Sequence, residues 1–277
     1  MPYLLALASS LLWGAGDFLG GTVSRRLPAT SVVGVSQALA LVLFALLALV
    51  TGEAALGMSA TGWAWAVAAG LAGLVALVAF YAALASGTMG VVAPLAALGV
   101  LFPLAAGLIG GERPSGVQML GVGLGVLGGV LASGPEVARK VSGRPVVLAL
   151  VAAVGFGLVL VFIARGSEDS PLLTLVGMRM TSVTLLVVAA LVARSIGGVR
   201  ARDLPLLAAI GVLDGGANLT YAIATTTGLL SLVAVLSSLY PAVTVVLARL
   251  VHHERMTRVQ DAGVVAALAG VVLVAGG

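Results

Sequence analysis

The chain has 277 residues, of which 61% are hydrophobic and 9% charged, and its mean hydropathy is +1.21. Soluble domains carry about 25% charged residues, so this composition cannot cover a water-facing surface. It excludes a soluble enzyme, a nucleic-acid-binding protein and a disordered chain. The net charge is +4 and there is no cysteine, which removes any disulfide framework, thiolate metal site or thiol nucleophile.

A hydrocarbon core about 30 Å thick takes about 20 apolar residues per helix. Apolar runs bounded by turn or charge signals fall at 3–22, 30–50, 62–85, 88–110, 116–133, 145–164, 171–193, 204–226, 229–250 and 259–276. They predict an all-α polytopic membrane protein of ten transmembrane helices, spans 1 to 10, with short loops and no extramembrane domain. The runs are continuous rather than alternating, which argues against a β-barrel. The first run has no basic segment before it and reads as span 1, not a signal peptide. The weakest boundaries are 86–90 and 227–228.

Span 1 contains Trp13-Gly14-Ala15-Gly16-Asp17-Phe18, with Ser10, Asp17 and Ser24 seven residues apart on one face. Asp17 reads either as a protonatable or cation-binding carboxylate, or as an interfacial acid paired with Arg25 or Arg26. Span 4 carries Pro94 and Pro103, each of which frees a backbone carbonyl and suits a kink or break. In span 5, Gly121, Gly125 and Gly129 allow close backbone approach, within the molecule or in a dimer.

Span 7 holds Arg179, which reads as a clamp for a substrate carboxylate or as the partner of Asp17 or Asp214. In span 8, Asp214, Asn218, Tyr221 and Thr225 follow i, i+4, i+7, i+11 along one stripe. Such a stripe lines a cavity or forms an inter-helix hydrogen-bond seam. Span 9 offers Ser237, Tyr240 and Thr244 beside Pro241. The adjacent His252-His253 do not share a helix face and make a poor metal site. No metal and no cofactor is expected, and no nucleotide or hydrolase motif is present. The expectation is therefore a protein that is not an enzyme.

An internal repeat organises the chain. Glu112-Arg113-x4-Gln118 recurs as Glu254-Arg255-x4-Gln260, and Tyr81-Ala82 as Tyr221-Ala222. The predicted halves are 1–134 and 145–277, joined by a charged linker at 135–144. Five spans per half require the second to enter the membrane upside down, as in the inverted repeats of secondary transporters. Eleven Arg and Lys residues fall on one side of this topology and two, Arg113 and Arg165, on the other, with Arg179 inside a span. The positive-inside rule then places the termini on the non-cytoplasmic side.

These features resemble the EamA-type members of the drug/metabolite transporter superfamily. The resemblance is carried by the two five-helix halves, the Trp13-Gly14 to Asp17-Phe18 segment, Tyr81-Ala82, Tyr221-Ala222, Tyr240-Pro241, Glu112 and Glu254. It departs at Gln37, where many relatives carry Arg, and at Gly99, which stands where span 9 has its proline. The resemblance implies secondary transport of a small organic solute (amino acid, metabolite or drug), most often as export across the inner membrane by alternating access.

Trp13, Asp17, Arg179, Asp214, Asn218, Tyr221, Ser237 and Tyr240 are the expected substrate-binding residues. The expected partners are a small-molecule substrate and the lipid bilayer, with protons as candidate coupling ion, no nucleic acid, and a monomer or homodimer. A scramblase-like lipid-handling protein and a membrane enzyme are the competing readings.

Overall fold

The computed structural model describes residues 1–87, 89–133, 143–195, 197–252 and 257–277. The described residues are helical with no strand. In chain order the helices are α1 (Pro2–Val23), α2 (Ala29–Val50), α3 (Glu53–Leu56), α4 (Ala60–Ser86), α5 (Met89–Ala97), α6 (Leu101–Ile109), α7 (Gly116–Ser133), α8 (Gly143–Ser167), α9 (Pro171–Ala193), α10 (Leu204–Thr227), α11 (Leu230–Ser237), α12 (Tyr240–His252) and α13 (Arg258–Gly276). Most of the linker, together with His253, Glu254 and Arg255, lies outside the described residues.

Six stretches are each long and apolar enough to cross a bilayer: α1, α2, α4, α8, α9 and residues 201–227 containing α10. Their outward surfaces are apolar, with Val50 85% and Val192 81% exposed. Water would not tolerate such a surface, whereas lipid tails match it. The chain is a multi-pass membrane protein.

Local sequence sets where these helices start. Ser59 caps α4, its Oγ accepting from the Gly62 N–H at 3.0 Å. Ser170 caps α9 in the same way from Leu173 at 3.1 Å, and Pro171 occupies the first turn. Both positions satisfy backbone donors that a helix start leaves unpaired.

The fourth and ninth apolar runs are each interrupted, as their prolines suggested. A 3-10 turn over Leu98–Val100 separates α5 from α6, and Ser238 and Leu239 separate α11 from α12. Pro241 sits at the second position of α12, where a missing N–H costs least. Gly99 lies in the other break, its backbone against Gly157 of α8.

Helices of the two halves interleave. The strongest partnerships are α7 with α13, α4 with α8 and α1 with α10, then α4 with α9 and α2 with α10; α2 also meets α9. The α7–α13 contact is backbone to backbone. A Cβ on Gly121 would lie 2.9 Å from the Gly270 carbonyl oxygen, and one on Gly270 would lie 2.6 Å from the Gly125 nitrogen. The small-residue stripe of the fifth run is thus filled from within the chain.

Candidate functional site

A cavity of about 70 Å³ opens among α1, α2, α4, α8, α9, α10 and α12. It is small beside organic-ligand pockets of roughly 300–1,000 Å³. Trp13, Asp17, Arg179, Asp214, Asn218 and Tyr240 line it, six of the eight residues expected from sequence.

At one wall, the Arg179 Nη2 donates to Asp214 Oδ2 at 2.5 Å. Their side chains are 3% and 14% exposed. The Asn218 Nδ2 reaches back one turn to Asp214, donating to its backbone oxygen at 2.6 Å and to Oδ1 at 3.1 Å. The Asp214 carboxylate is therefore held on both oxygens. Behind the guanidinium, the Ser182 hydroxyl donates to Gln37 Oε1 and lies 3.3 Å from the Arg179 carbonyl oxygen. Of the two roles open to Arg179, the structure displays pairing, and its partner is Asp214. Its Nε is buried and has no hydrogen-bond partner among the described residues.

Asp17 occupies the opposite condition. It is buried on α1 and faces the same cavity. Among the described residues no hydrogen bond or ion pair reaches its carboxylate. The interfacial pairing with Arg25 or Arg26 is not formed; Arg26 instead bonds Asp203 at 2.5 Å. The Tyr240 hydroxyl is also buried, with no partner among the described residues.

Tyr221 and Ser237 lie outside the lining. The Tyr221 hydroxyl donates to the Leu160 carbonyl at 3.1 Å, and its ring packs 5.8 Å from that of Trp13, which it supports from behind. Ser237 donates to the Ala6 carbonyl at 3.2 Å, and Thr244 to that of Gly14 at 3.1 Å. These hydroxyls stitch α11 and α12 to α1. Thr225 turns back on its own helix, to Ala222 at 2.8 Å. Half of the stripe on α10 is cavity wall and half is seam.

Sequence reasoning missed Gln37 as a lining residue, along with Phe156, Leu160, Gly73 and Leu77. One signal was present. Trp13-Gly14 and Phe156-Gly157 are an aromatic–glycine pair repeated 143 residues apart, and so are Asp17 and Leu160. Gln37 and Arg179 stand 142 apart, while Gly73 with Asp214 and Leu77 with Asn218 stand 141 apart, the spacing of the helix-ending Gly87 and Gly228 and one residue off the Tyr81–Tyr221 register read from sequence. Of these twelve residues ten, all but Gly14 and Gly157, line the cavity. Its wall is drawn from matched positions in the two halves.

A polytopic bundle whose interior cavity holds acids, a guanidinium and aromatic rings has the make-up of a membrane transporter. The sequence matches the EamA-like transporter family twice, over residues 1–134 and 143–276, and the chain belongs to that family. No curated protein matches it. Among solved structures, one titled only as the crystal structure of a protein superposes with a TM-score of 0.79 at 17% identity. That match covers 98% of this chain and 95% of the other, and a likeness at that identity establishes the fold alone.

Proposed function

We propose that this chain is a secondary transporter that moves a small organic solute across the inner membrane by alternating access, in the direction of export. It has ten membrane-crossing segments in two inverted five-helix repeats, 1–134 and 145–277, joined by the loop 135–144. Both termini lie on the non-cytoplasmic side. The broken pairs α5–α6 and α11–α12 each count as one crossing.

The observation that carries this reading is the cavity wall built from matched positions in both halves. Inverted-repeat transporters place their site between the repeats near the bilayer midplane. The reciprocal packing of α1 with α10 and α4 with α8 supports the two-fold relation. Trp13, Asp17, Arg179, Asp214, Asn218 and Tyr240 contact the solute, with Tyr221 and Ser237 as support. Protons are the coupling ion. Asp17 is the carrier, because Asp214 is already neutralised by Arg179.

The test is flux of water-soluble solutes into liposomes containing this chain alone. Solute entry above that of protein-free vesicles is expected, driven by a pH gradient. Equal flux across a broad panel overturns the reading, and protein-dependent movement of labelled lipid in its place would favour a lipid-handling role. Proton coupling is refuted if Asp17→Asn and Asp214→Asn both fold and leave gradient-driven flux unchanged.

A further inference from the structure

Among the described residues that line the cavity, carboxylates outnumber cations. Two carboxylates, Asp17 and Asp214, face one guanidinium, Arg179. The guanidinium is committed to Asp214 at 2.5 Å, and Asn218 secures that carboxylate from the other side. Asn218 carries no charge, and among the described residues the guanidinium makes no ion pair with Asp17. An isolated carboxylate inside a bundle is costly unless it is paired. No residue described in the structure supplies that partner.

The surroundings of Asp17 restrict what does. Trp13, Phe156 and Tyr240 present aromatic rings to the same cavity. The face of such a ring attracts a cation, most of all one with an apolar shell. The Tyr240 hydroxyl and Arg179 Nε are buried without partners among the described residues, one able to donate or accept and the other able to donate to a hydroxyl. The small volume selects for a compact body. An anion would meet Asp17 and find Arg179, the one cation among the described lining residues, already paired.

We infer that the site takes a compact organic monocation of the alkylammonium class, with Asp17 as its counter-ion and the rings of Trp13, Phe156 and Tyr240 around its apolar shell. This assignment rests on the cavity being the solute site proposed above, and it names the class of that solute.

Choline is a suitable probe, because its charge is permanent and 3,3-dimethylbutan-1-ol is its neutral isostere. Thermal shift and calorimetric titration of the purified full chain are expected to show choline binding at least tenfold tighter than the isostere. The carboxylate 3,3-dimethylbutanoate is expected not to bind. Asp17→Asn should weaken choline at least tenfold while leaving the unliganded unfolding temperature close to that of the wild type. If that variant does not fold, the cation–isostere comparison in the wild type decides alone. Equal binding of the two isosteres, preference for the carboxylate, absence of choline binding, or undiminished binding in a folded Asp17→Asn protein overturns the inference.

Flux assays separate this inference from the transport reading. Liposomes that pass neutral or anionic solutes while choline neither binds nor crosses would leave a transporter without a cation site. Asp17-dependent choline binding with no flux of any solute would leave the cation site and remove the transporter.

Discussion

The two halves supply the same positions to the cavity and fill them with opposite chemistry. The first half offers Trp13, Asp17, Gln37, Gly73 and Leu77; the second answers with Phe156, Leu160, Arg179, Asp214 and Asn218. Between α1 and α8 the acid belongs to the first half and the apolar residue to the second, and between α4 and α10 the order reverses. Matched positions thus form an asymmetric wall. The second half contains its own ion pair and its own bracing amide, whereas the first half leaves one carboxylate open. The matched positions account for the shape of the site, and the differences between their residues account for its polarity.

Substitutions across matched positions should break this comparison in graded steps. The largest effect is expected for Arg179→Leu, which strands Asp214 in the interior and should cost about 3–5 kcal/mol. Thermal unfolding in detergent would show it, and adding Asp214→Leu should recover most of the loss, since an apolar pair replaces an ionic one without leaving a charge. An Arg179→Leu protein as stable as the wild type would show that the pair does not brace the second half. The matched change Gln37→Leu removes a neutral acceptor from Ser182 and should cost about 1 kcal/mol.

Asn218→Leu gives the second half the residue of the first at Leu77. It removes two contacts to Asp214 and should cost about 1–2 kcal/mol, with a loss of solute binding read by titration. The converse, Leu77→Asn, places an amide at the cavity edge and should alter solute preference more than stability. A loss of stability from Leu77→Asn that equals that of Asn218→Leu would mean the halves are energetically alike.

Smaller effects belong to the helix ends. Glu112 accepts from the Leu230 and Ser231 N–H groups at 2.6 and 2.9 Å, capping α11 from the loop that precedes α7. Glu112→Ala should cost about 1–2 kcal/mol, in the range of lost caps. At the opposite face, Arg26 meets Asp203 with its own side chain 48% exposed. Arg26→Gln should shift the unfolding temperature least, and only at low salt, because ions screen an exposed guanidinium. A shift that persists at high salt would show that this pair is sheltered and comparable to the one in the cavity.

The sequence made the long apolar helices and their polar intruders plain, because charge is conspicuous where nearly everything else is apolar. It did not reveal which acid Arg179 takes, since Asp17 and Asp214 are equally visible and only packing brings one within reach. Helical period identified the face shared by Asp214, Asn218, Tyr221 and Thr225, but a face has no label for what it meets. Its upper half meets a cavity, and Tyr221 meets α8. Phe156 and Leu160 are apolar residues in an apolar helix, so composition passed over them; only their echo of Trp13 and Asp17 marked them. The interruptions at Leu98–Val100 and Ser238–Leu239 were suggested by proline, yet the first of them falls between Pro94 and Pro103 and not at either.

The glycine seam between α7 and α13 has a consequence for how the protein is made. The two helices are separated by about 125 residues of chain, so at about 5–20 residues per second α7 waits roughly 6–25 s for its partner. Throughout that interval its glycine face is open to any other helix with small residues, including α13 of a neighbouring nascent copy. Correct assembly therefore depends on the order of synthesis as much as on the fit of the finished surfaces. Slowing translation between the two helices is expected to raise the yield of intertwined dimers.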